Sequence, residues 1–124
     1  MYFVHALRIG VDDMDYKESL EAFRASCRAY RNEKENLVRY RNVQYLNPLT
    51  EQMVKFMKED VEYVDRTLDA IEKACGTNAR LMIFLLFVEE RTQVDIAHEF
   101  GITRRQVQYS MDKWLHVVLN YKED

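Results

Sequence analysis

Between residues 16 and 43 the apolar positions recur at steps of three and four: Tyr16, Leu20, Phe23, Cys27 and Tyr30, an interruption at Lys34, then Leu37, Tyr40 and Val43. A period near 3.5 predicts one long amphipathic helix, and Asp15 with Glu18 three residues on supplies its capping box. Asn47-Pro48-Leu49-Thr50 ends it: proline drives the residue before it out of the helical region, and Thr50 suits the cap of whatever follows. The next stripe is more regular still, Val54, Met57, Val61, Val64, Leu68, Ile71 and Cys75, as in a coiled-coil seam. Two long helices pairing antiparallel are expected over residues 15–75.

Gly76 closes the second helix, and Thr77 or Asn78 opens a third. Residues 79–88 are apolar on nearly every side and predict a buried segment at the hub of the fold. After the connector Glu89-Glu90-Arg91-Thr92, Thr92 caps a short helix with Asp95 as its partner. Thr103 caps a last helix with Gln106 in the capping-box position, running to about Asn120. Residues 2–11 are apolar and partly β-branched or aromatic; strand, packing arm and first helical turn all remain open there.

Three glycines and one proline in 124 residues favour long helices over a many-stranded sheet. The expected fold is therefore all-α: an arm over 1–14, a long antiparallel helical hairpin over 15–75 that dimerises or docks, and a C-terminal helix-turn-helix bundle over 76–124. The start of the chain has no cationic segment of the secretory kind, and the apolar run 81–88 is too short to span a bilayer. A cytoplasmic location and no membrane association are expected. Cys27 and Cys75 fall in apolar stripes, offset along the hairpin by about 7 to 8 Å, too far to bridge easily, and are read as reduced core residues.

The stretch "DIAHEFGITRRQVQ", 95–108, carries the one mechanistic pattern. Two helices meeting at a steep angle need a small residue where they cross, Ala97, and a residue that takes positive φ in the turn, Gly101. Val94, Phe100, Ile102 and Val107 would fill the space beneath. On the last helix Val107, Met111, Trp114, Leu115 and Val118 share an inward face. Arg105, Tyr109 and Asp112 point away from it, with Gln108 beside them and Arg104 in the first turn. Arginine offers a fork to guanine, and glutamine pairs with adenine. A solvated helix start is the plain alternative, but cations at a helix N-terminus oppose the macrodipole, so two adjacent arginines call for an anionic partner.

"FVEERTQVDIAHEFGITRRQVQYSMDKWL" resembles the C-terminal helix-turn-helix of sigma-70-type factors, the region that reads promoter −35 elements. It is similar to the sigma-like regulators of bacteriophages and mobile elements, such as the ArpU and RinA types of late-gene activator. The resemblance covers residues 79–119. It implies Ala97, Gly101, Ile102 and Val107 as packing positions, and Thr103, Arg104, Arg105, Gln108 and Tyr109 as the positions that face the major groove of double-stranded DNA. "GTNARLM" replaces that region's usual opening rich in proline and arginine, and no counterpart of the promoter-melting domain precedes it. The implied role is an accessory transcription regulator acting with RNA polymerase.

The formal net charge of −3 gives no global cationic field, so DNA binding has to be local, and either two copies of the chain, as a homodimer, or a tethering partner is expected. Residues 16–46 carry seven Lys or Arg against four Glu, and 51–73 carry seven acids against four bases. The first helix could lie along phosphates, or the opposite charges could pair across the hairpin. His5, His98 and His116 are scattered, and no catalytic constellation assembles; no metal, cofactor or enzymatic activity is expected. Two rivals stay open: a protein-interaction module that inhibits or redirects a host protein without touching DNA, and a small terminase-type DNA-recognition subunit.

Overall fold

The computed structural model describes residues 15–119, which are all-helical. Residues 1–14, and the chain end at 120–124 into which the last helix was expected to run, lie outside the described residues. Five helices follow in order: α1 (Tyr16–Tyr40), α2 (Pro48–Cys75), α3 (Thr77–Phe87), α4 (Gln93–Phe100) and α5 (Arg104–Val118). No strand occurs among the described residues, and none of these helices is long and apolar enough to cross a membrane.

α1 begins as its sequence predicts. The Glu18 N–H donates to Asp15 Oδ1 at 2.8 Å and the Asp15 N–H to Glu18 Oε1 at 3.3 Å, which satisfies two amides that the first turn would otherwise leave bare. The helix stops at Tyr40, so Val43 falls in the connection to α2 and is exposed. α2 starts differently from the expectation. Asn47, not Thr50, is its cap, accepting the Thr50 N–H at 2.9 Å, with Pro48 at the first helical position. The reason is local: the residue before a proline is held extended, as Asn47 is at φ −67° and ψ 160°, and that is also the conformation an N-cap needs.

Every apolar position of the α2 stripe is buried except Cys75, which is half-buried. Both cysteines are free thiols. α2 packs against α1, α3 and α5, and α3 touches all four other helices, the hub position its apolar sequence implies. Phe23, Leu68, Ile71, Ile83, Phe87, Ile96 and Leu115 are essentially fully buried. Each contributes about 1.5–3 kcal/mol by removal from water.

Gly76 is the whole connection between α2 and α3. Its N–H donates to Glu72 O at 2.9 Å, and its own carbonyl accepts from Arg80 at 3.2 Å. At φ 102° and ψ 169° it occupies a region open essentially to glycine alone. With one residue serving both helix ends, no side chain caps α3: Thr77 Oγ1 donates instead to Glu72 Oε2 at 3.2 Å.

The α1–α2 interface contains polar groups that the stripes do not announce. Ser26, Glu33 and Asp60 are buried there, and Ser26 Oγ donates to Asp60 Oδ1 at 2.8 Å. Burial first, and the neighbouring Asp60 carboxyl group second, push the Glu33 carboxyl up from its usual 4.5 to about 9. Glu33 therefore carries a proton at neutral pH, and Glu33 Oε1 and Asp60 Oδ2 are buried without a hydrogen-bond partner among the described residues. Tyr30 hydrogen-bonds Asp65 across the same interface, and its hydroxyl pKa is raised by burial and by that bond.

Candidate nucleic-acid interface

Two helices joined by residues 101–103 form a corner at the end of the chain. Thr92 caps α4, its hydroxyl accepting from the Asp95 N–H at 3.1 Å. Gly101 ends the helix in the left-handed region, φ 69° and ψ 33°, and the Ile102 N–H donates to Ala97 O at 3.0 Å. Thr103 then opens α5 with a complete capping box: Gln106 N–H to Thr103 Oγ1 at 3.0 Å, and Thr103 N–H to Gln106 Oε1 at 2.8 Å. Ala97 and Val107 are buried in the common core and Ile102 is half-buried against it.

Val94 does not join them. It is 62% exposed, and Ile96 fills the core in its place. The inward stripe of α4 is Gln93, Ile96, Ala97 and Phe100, at i, i+3, i+4 and i+7. Val94 stands about one 100° step off it.

The structure exposes all five outward candidates, Thr103, Arg104, Arg105, Gln108 and Tyr109. Arg104 and Arg105 make no hydrogen bond or ion pair among the described residues, whereas four other arginines are engaged. Arg28 and Arg31 reach Glu90 at 3.5 Å and Glu89 at 2.7 Å, Arg80 reaches Asp69 at 2.5 Å and Glu72 at 3.0 Å, and Arg91 reaches Glu99 at 2.9 Å. These hydrogen-bonded carboxylates hold the Arg80 and Arg91 guanidiniums above their ordinary pKa. Among the described residues no ion pair joins α1 to α2. The basic charge of α1 is instead partly met by the connector before α4, which fastens the corner to the hairpin.

Gln108 is engaged although exposed. Its Nε2 donates to Asp112 Oδ2 at 2.8 Å, and its Oε1 accepts from Gln93 Nε2 at 2.6 Å. Asp112, expected to point outward, is half-buried, because the Tyr16 hydroxyl donates to its second oxygen at 3.3 Å. Tyr16 also stacks on His116, ring centroids 3.6 Å apart. The start of α1 therefore rests on α5, behind the outward face. Sequence reasoning missed Gln93 and Tyr16 here. Gln93 sits in an apolar stripe position, a visible signal, whereas nothing in the sequence pairs Tyr16 with a residue 96 positions later.

A second exposed surface lies at the closed end of the hairpin, where Val38, Val43, Tyr45, Leu49 and Met53 are each 45% exposed or more. A groove beside it is lined by Leu37, Val38, Val43, Leu46, Val54 and Val61, among others. No family model, no curated protein and no solved structure matches this chain.

Proposed function

We propose that the chain is a DNA-binding transcription regulator in which the α4–α5 corner acts as a helix-turn-helix and α5 enters the major groove. One observation carries the reading: Arg104 and Arg105 stand exposed in the first turn of α5, unpaired among the described residues, where the helix macrodipole disfavours them. A phosphate backbone or the acceptor edge of guanine offsets that cost, and Thr103 and Tyr109 flank the same face. The sigma-like resemblance of residues 79–119 supports RNA polymerase as the partner of the bound protein. Because the chain as a whole is acidic, we propose that two copies bind together, joined through the apolar closed end of the hairpin.

The reading is tested by selecting bound sequences from random DNA and measuring affinity against salt. An enriched site is expected, with affinity falling steeply as salt rises; Arg105→Ala costs about 1–3 kcal/mol on that site. Unchanged binding by an Arg104→Ala/Arg105→Ala variant would remove the assigned face. A protein-interaction role has its own observation, since Val94 and Tyr109 are 62% and 68% exposed on the corner. Absence of any salt-dependent DNA binding is the result that favours it.

A further inference from the structure

The amide of Gln108 is held at both ends, and the bonds holding it fix which way round it points. A primary amide has two N–H donors and an oxygen with two lone pairs. Asp112 Oδ1 already accepts from the Tyr16 hydroxyl, and its Oδ2 accepts a hydrogen bond from Gln108 Nε2 at 2.8 Å. Both carboxyl oxygens of Asp112 thus act as acceptors. The nitrogen of Gln108 must therefore face Asp112, and its oxygen must face Gln93, whose nitrogen donates to it at 2.6 Å. Gln93 cannot turn round either, because its oxygen would then confront the oxygen of Gln108. Gln93 Oε1 is left buried and without a partner, an arrangement that stability alone would not favour.

One N–H and one lone pair of the Gln108 amide remain unused, and the residue is exposed on the outward face of α5. In the major groove adenine offers the complementary pair, an acceptor at N7 and a donor at N6. Guanine offers two acceptors, so the fixed oxygen would meet O6 with no proton between them. Thymine offers an acceptor beside a methyl group, and cytosine a lone donor. An untethered glutamine could turn its amide and donate to guanine. This one would first break two hydrogen bonds.

We propose that Gln108 selects adenine in the bound site, with Asp112 and Gln93 as the positioning residues that hold its amide in the adenine-reading orientation. The proposal rests on the DNA-binding reading above, and its test separates the two. Sequences are selected from random DNA by the full chain and by Gln108→Ala, Asp112→Asn and Gln93→Ala variants, each first shown to melt like the parent by circular dichroism. The parent should enrich a site with an adenine whose replacement weakens binding about ten- to a hundredfold. Gln108→Ala should lose the preference at that position alone. Asp112→Asn supplies a side chain that can donate as well as accept, so it should relax the same position towards guanine while affinity for unrelated DNA stays the same. A merely structural role for Asp112 would leave base preference unmoved. An enriched site at which Gln108→Ala changes no position, or at which the affected base is guanine, overturns the proposal and leaves DNA binding standing. No enriched site at all overturns both.

Discussion

The hairpin and the corner treat charge in opposite ways. Between α1 and α2, Glu33 and Asp60 are taken out of water side by side, and Ser26 donates to Asp60. At the start of α5, Arg104 and Arg105 are left in water with no protein partner among the described residues. Burial makes the first arrangement expensive to disturb, because a polar group deprived of its partner there keeps its full desolvation cost. The second costs the fold a little simply by existing. A charge with a partner is accounted for by the fold, whereas one held without a partner against a helix dipole directs attention to a ligand.

Breaking the buried arrangement should give the largest effect. Asp60→Ala leaves the buried Ser26 hydroxyl without its acceptor and opens a small cavity, and is expected to destabilise by about 2–4 kcal/mol in urea denaturation. Replacing the whole group with apolar residues, Ser26→Ala with Glu33→Met and Asp60→Leu, should cost far less, within about 1–2 kcal/mol of the parent. If the single change is as mild as the triple one, Asp60 is not an acceptor that Ser26 depends on.

The same group predicts a pH dependence that sharpens the contrast. Glu33 holds its proton up to about pH 9 when folded and releases it near 4.5 when unfolded, so between those values the native state binds the extra proton. Stability contributed by Glu33 is therefore complete below about pH 4.5 and is lost as pH rises towards about 9. The neighbouring Cys27 thiol and Tyr30 hydroxyl are both pushed up by burial and stay protonated through that window. Glu33→Gln keeps the size and polarity of the side chain but does not titrate. Its melting temperature should change less between pH 5 and pH 9 than that of the parent, and an equally steep profile would rule Glu33 out as the source.

Two glycines test the regions at the level of the backbone. A Cβ added at Gly76 or Gly101 would meet no atom within 4 Å, so any cost is conformational. Gly76→Ala forces an alanine into the region essentially reserved for glycine and should cost up to about 3 kcal/mol. Gly101→Ala asks only for the left-handed helical region and should cost about 1–2 kcal/mol, with Gly101→Asn milder. Equal losses by thermal denaturation would contradict the dihedral angles.

The helical stripes and caps were legible in the sequence because they depend on neighbours three or four residues apart. Asp15, Thr92 and Thr103 cap as expected, and the stripe from Val54 to Ile71 is buried throughout. What stayed hidden depends on rotation about a helix axis or on distant pairs. Glu33 lies one position before the interruption at Lys34, and only the packed hairpin makes it, rather than Lys34, the buried residue. Val94 was misplaced because an apolar residue was preferred to Gln93 for an inward position. The outward face was legible residue by residue, but the bonds restraining Gln108 come from α4 and, through Asp112, from the start of α1.

The smallest predicted effect bears most directly on the comparison. Arg104 and Arg105 have no partner among the described residues and face the positive end of the α5 dipole, so reversing their charge removes an unfavourable interaction and breaks no contact. Arg104→Glu and Arg105→Glu should each raise stability by about 0.3–1 kcal/mol at low salt, with the gain shrinking as salt screens the dipole. The same substitutions should abolish DNA binding. Alanine at both positions should give a smaller gain, because it removes the repulsion without adding an attraction. A loss of stability in the glutamate variants would mean that the arginines already have a structural partner, and the argument from their exposure would fail. A gain in stability coupled to a loss of binding is the combination expected of residues kept at the expense of the fold for the sake of a ligand.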